Sequence, residues 1–197
     1  MELINLSIIL FLIMDPIGNI SSFLNMVQGI PAERRRVIII REMFIALIAM
    51  VVFNYLGEFI FNILSVSETT LRLTSGAILF LVAIKILFPS TDSLRANLPS
   101  GEPFVTPLAI PLIAGPALLA TIMLFAHLET SQEAVLGAIF VAWIAAAAIL
   151  FFAAPIQRTL GNNGLMACER LMGLILVMLA IQRFLEGIQQ LVKSCQL

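Results

Sequence analysis

Charge is scarce in this chain: 12% of its 197 residues are Asp, Glu, Lys or Arg, and the formal net charge is −1. That leaves no basic face for nucleic acid, and no stretch is polar or repetitive enough to remain unfolded. Histidine occurs once, at His127, and no HExxH, GxSxG or Walker pattern is present. The usual signatures of zinc-dependent, serine-dependent and ATP-driven chemistry are therefore missing. The two cysteines, Cys168 and Cys195, form no CxxC pair and read as inert membrane thiols. The chain is expected not to be an enzyme and to hold neither a metal nor a cofactor. A basic leader with an A-x-A cleavage site is also lacking, so the N-terminal apolar run is expected to stay as a first span.

What the chain has in abundance is apolar side chains, at 60% of residues with a mean hydropathy of +1.06. That composition belongs to an integral membrane protein. Apolar runs of roughly 20 residues, the length that crosses a bilayer, predict six spans at about 4–27, 37–61, 69–88, 104–126, 134–154 and 170–191. The most polar connection, 89–103, splits a single membrane domain into repeat one, about 1–90, and repeat two, about 103–197. Three crossings per half force a second copy to lie upside down relative to the first. The expected fold is all-α, with six transmembrane helices as two inverted repeats of three.

The repeat leaves a trace in the residues. Gly76-Ala-Ile-Leu-Phe-Leu-Val-Ala-Ile84 and Gly173-Leu-Ile-Leu-Val-Met-Leu-Ala-Ile181 agree at five of nine positions, at an offset of 97. Two helix-breaking sequences, Asp15-Pro16-Ile17-Gly18-Asn19 and Ala114-Gly115-Pro116-Ala117, place their prolines 100 positions apart. Such breaks are costly in lipid because they free peptide groups that hydrocarbon cannot satisfy. Each closes a mainly apolar stretch eleven residues long, 4–14 and 104–114, or about 16 Å of helix at ~1.5 Å per residue. The first and fourth helices are thus expected to break at the midplane of a ~30 Å core.

A break at that depth exposes the start of a second half-helix, whose amides and dipole favour an anion. Asp15, Gly18, Asn19, Ser22, Gly115 and Thr121 are the candidate substrate-binding residues, with Ser21 beside them. Pro16, Gly18, Gly115 and Pro116 are candidate hinges. Asp15 supports two readings of equal weight, since a carboxylate near the bilayer centre either caps the following half-helix or meets a substrate ammonium, a sodium ion or a proton. Kinks that only shape the bundle are the competing account of both prolines.

The remaining polar groups have structural readings. Arg41 with Glu42, and Glu169 with Arg170, suit interfacial ion pairs, and Lys85 suits snorkelling. Asn54, Glu58 and Asn62 recur every four residues on one face of span two, either as a wetted side or as a vestibule lining. Trp143 and the small residues Gly137, Ala138 and Ala145 to Ala148 suit helix packing. Lys and Arg concentrate in the first, third and fifth connections, so both termini are expected on the periplasmic side.

Met14-Asp-Pro-Ile-Gly-Asn19, Arg34-Arg-Arg36, Ile110-Pro-Leu-Ile-Ala-Gly-Pro116 and Glu169-Arg-Leu-Met-Gly173 together resemble the MarC family of bacterial inner-membrane proteins. The resemblance covers essentially the whole chain. Some members of that family, the SnatA proteins, transport small neutral amino acids such as glycine and alanine. The resemblance therefore implies a secondary transporter coupled to a proton or sodium ion. Its partners would be a small-molecule substrate and the lipid bilayer, and a homo-oligomer is compatible with the sequence. The alternatives are an exporter of drug-like or apolar molecules and a non-transporting membrane scaffold.

Overall fold

The computed structural model describes residues 3–27, 30–64, 67–88, 113–128 and 131–195, and all their regular structure is helical. In chain order the helices are α1 (Leu3–Met14), α2 (Asn19–Met26), α3 (Ala32–Leu64), α4 (Glu68–Leu87), α5 (Pro116–Leu128), α6 (Gln132–Phe151) and α7 (Ala153–Cys195). Helix starts follow from local chemistry. Ser67 and Ser131 each turn a hydroxyl back to accept an amide, from Thr70 at 3.2 Å and Ala134 at 3.3 Å, and so cap α4 and α6. Pro116 occupies the first position of α5, where its missing N–H costs nothing.

Four helices, α3, α4, α6 and α7, are long and apolar enough to cross a membrane, and α1 with α2 is so only as a pair bent by 49° at its break, the geometry of a broken span or of a re-entrant loop. At 13 residues, α5 is about 20 Å long, too short to cross alone. The preceding half of the expected fourth span, 104–112, and the 89–103 connection lie outside the described residues.

The ends of the helices differ from hydropathy. The segment expected to connect spans five and six is instead helical, because α7 begins at Ala153 and continues to Cys195. Gln157, Arg158, Asn162 and Asn163 lower hydropathy there, but polar residues on an exposed surface are no obstacle to a helix. The one interruption is Gly161, whose φ of 64° and ψ of 176° no helix contains. For the same reason α3 takes in Arg34 to Arg36.

In lipid, helices gain little from burying apolar surface against each other, so close backbone approach has to hold them. The packing of α4 along α7 is the most extensive, followed by α3 on α5 and α1 on α6. Glycines sit at these contacts. A β-carbon on Gly76 would lie 2.7 Å from the Phe184 amide nitrogen, one on Gly57 would meet the Met123 backbone, and one on Gly173 would reach Leu87 Cγ at 3.0 Å. Phe61 lies 5.8 Å from the His127 ring; with the Gly57–Met123 contact, this makes α3 and α5 parallel. Trp143 donates its indole N–H to the Met43 carbonyl at 2.7 Å, tying α6 to α3 as packing rather than anchoring at the interface. Outside this core Ile40, Phe44, Leu81, Ile144 and Met178 are mostly exposed, the surface a lipid-facing protein requires.

Candidate functional site at the first helix break

The first site is built on the turn between α1 and α2. Asp15 takes the left-handed conformation, with φ of 43°, a region that aspartate enters more readily than most residues. Gly18 is ordinary right-handed backbone, with φ of −61° and ψ of −34°. Gly18 is required for room instead, because a β-carbon there would strike the Asp15 carboxylate.

Asp15 Oδ1 accepts the Gly18 N–H at 3.2 Å, and its carbonyl accepts the Asn19 N–H at 3.0 Å. Ile20 N–H reaches the Ile17 carbonyl at 3.2 Å, and the Asn19 side-chain amide donates to the Met14 carbonyl at 2.9 Å. Asp15 thus bonds an amide of the turn that precedes α2, while α2 itself starts from Gly18 without a side-chain cap. The expectation that α2 opens with unpaired amides fails for Gly18, Asn19 and Ile20, because the turn itself consumes them. What remains for a ligand is the rest of the carboxylate, which is partly exposed.

At the second break, Ile113 and Ala114 are buried and Leu119 N–H bonds the Gly115 carbonyl at 3.0 Å. The Ala117 and Leu118 amides fall in the first turn of α5, where a helix supplies no acceptors of its own. Thr121 is 1% exposed and spends its hydroxyl on the Ala117 carbonyl at 2.8 Å, so it acts inside α5. Ser21 and Ser22 are half-buried on α2.

Two residues gain importance that the sequence did not give them. Glu169, on α7, lies within Coulombic reach of Asp15. The available signal was its place in the Glu169-Arg-Leu-Met-Gly173 run. Asn54 is wholly buried, and neither its Oδ1 nor its Nδ2 has a hydrogen-bond partner among the described residues. It therefore does not belong to a wetted stripe. The side chains of Glu58 and Asn62, expected on that stripe, lie outside the described residues. Two carboxylates brought to one break from different helices suit a cation or a shared proton.

Residues 1–192 match the family of MarC integral membrane proteins. The chain belongs to the MarC family. This member is 46% identical over 195 residues to the UPF0056 inner membrane protein YhgN of Escherichia coli strain K12, a match spanning 98% of this chain and 99% of that one. A UPF0056 membrane protein of Buchnera aphidicola subsp. Schizaphis graminum is 45% identical over 194 residues, with 98% and 99% covered. Another from Chlamydia muridarum is 32% identical over 192 residues, covering 95% of this MarC protein and 93% of its own length. These names state a membrane location and no activity. No solved structure matches the chain.

Proposed function

We propose that this MarC protein is a six-span, inverted-repeat secondary transporter of the inner membrane that moves small neutral amino acids, coupled to a proton or sodium gradient. The observation that carries the reading is the break itself: a left-handed aspartate with buried apolar neighbours Met14 and Ile20, and the charge of Glu169 within Coulombic reach. A carboxylate so placed needs a cation, and the ammonium of a zwitterion or a coupling ion is the natural one.

Burial supports the repeat. Ser75, Gly76, Leu79 and Ala83 of α4 are buried, and so are Met172, Gly173, Leu176 and Ala180 of α7, each 97 positions on. The close approach of Gly76 to Phe184 has its counterpart in that of Gly173 to Leu87, at the same offset.

In this mechanism the ammonium meets Asp15, the substrate carboxylate meets the opening amides of α5, and bulk around the break excludes larger side chains by overlap. Pro16, Gly18, Gly115 and Pro116 take up the backbone change as one half rocks against the other. Uptake of radiolabelled glycine and alanine into proteoliposomes, with each gradient imposed separately, tests the reading. Asp15→Asn and Gly115→Leu are expected to reduce uptake at least about tenfold, a loss of ~1.4 kcal/mol or more in transition-state stabilisation, while both proteins stay folded. Wild-type kinetics in both variants overturns the site, and a scaffold would show no gradient-driven uptake at all.

A further inference from the structure

We propose that the cavity between the end of α2, the start of α3 and the bend of α7 is a binding site for the headgroup phosphate of an anionic phospholipid. Its volume is about 580 Å³, within the range of small-molecule sites. The polar side chains on its wall are two guanidiniums, Arg35 and Arg158, and three amides, Asn25, Gln157 and Asn162. All of them can donate hydrogen bonds, and no carboxylate is among the described lining residues. Gly161 lines the cavity too, with open space where a β-carbon would stand.

Both guanidiniums have donors to give. Arg35 bonds the Ile30 carbonyl through Nε at 2.7 Å, which fixes the side chain and leaves its two terminal nitrogens unengaged among the described residues. Arg158 is exposed and makes neither a hydrogen bond nor an ion pair among them. A guanidinium matches a phosphate better than any other side chain, two N–H groups meeting two oxygens. The surroundings select a lipid over a soluble phosphate. In the chain on either side of the lining segment, Phe151, Phe152 and Leu160 are exposed, an apolar border for acyl chains. Arg36, next to Arg35, lies 5.6 Å over the Phe151 ring, a pairing that suits the headgroup boundary at the end of a span. Residues 28–36 and 152–168 together carry four arginines and one acid, Glu33. Their face is the one that the placement of Lys and Arg assigns to the cytoplasm, where the leaflet is anionic. None of this rests on the transporter reading.

The test uses full-length protein in detergent, incubated with equal amounts of phosphatidylglycerol and phosphatidylcholine of the same chain length, and counts retained lipid by native mass spectrometry. Phosphatidylglycerol is expected to be retained at least about fivefold over phosphatidylcholine, the scale set by one interfacial arginine. Arg158→Gln, at an exposed position, should remove most of that preference without moving the Tm, and Arg35→Gln should remove it as well. Arg36→Gln takes the same charge from the same end of α3 without lining the cavity, and should keep the preference. Equal retention of the two lipids by the unaltered protein overturns the site, and so does an equal loss in all three variants, which is the mark of diffuse charge. Inorganic phosphate should displace the lipid no more than sodium chloride of equal ionic strength does; selective displacement by phosphate overturns the lipid in favour of a soluble anion. Asp92→Asn with Glu102→Gln should leave retention unchanged, whereas a rise would mean that an acid of 89–103 already holds the arginines, and would overturn the site too.

Discussion

Glu42 is wholly buried in α3, with Oε1 held by Arg41 at 2.8 Å and Oε2 without a hydrogen-bond partner among the described residues. Removing the cation leaves that acid uncompensated. Arg41→Met is expected to lower stability by about 3 kcal/mol, the lower end of the usual cost because the Arg41 side chain is 31% exposed. Asn54 presents the opposite case, a neutral amide buried with neither atom paired among the described residues. Asn54→Leu removes the desolvation penalty and is expected to raise stability by about 1–3 kcal/mol, read as a higher Tm in detergent. A fall in Tm would mean that the amide is hydrogen-bonded in the folded protein. Sequence reading placed both residues on a helix and missed their burial, because hydropathy averages over a window and is silent on which way one side chain turns.

At the level of the helix, the two glycines of the α4–α7 contact are not equal. A β-carbon on Gly76 would press on the Phe184 backbone at 2.7 and 2.9 Å, whereas on Gly173 it would meet the side chains of Leu87 and Ile86 at 3.0 to 3.1 Å. Backbone cannot yield as a leucine rotamer can. Gly76→Ala is therefore expected to cost about 1–3 kcal/mol, an overpacking penalty, and Gly173→Ala less than ~1 kcal/mol. Thermal unfolding of the two variants in the same detergent decides it. The break between α1 and α2 was legible because proline and glycine act locally on the backbone. The helical run from Ala153 towards Gly161 was not, since its polar residues were read as a loop on hydropathy alone. Within the break, the left-handed conformation of Asp15 was not legible, because it goes with a turn hydrogen bond that its own carboxylate accepts.

For the whole molecule, the prediction concerns sidedness. Ser67 and Ser131, exposed caps between α3 and α4 and between α5 and α6, belong to one face, and Arg158 near the start of α7 belongs to the other. Cysteines at Ser67 and Ser131 are expected to react with an impermeant reagent in intact cells, and one at Arg158 only after permeabilisation. Any exchange between these groups changes the number of crossings. The molecule's longest helix carries a constraint of a different kind. Gly161 has open space where a β-carbon would stand, yet its φ of 64° with ψ of 176° is a combination that strains any L-residue. The requirement at 161 is chirality, not volume. A chemically synthesised chain with D-alanine there would accept the bend and lose less freedom on folding than glycine does, while L-alanine, no larger, would have to straighten the helix or strain it.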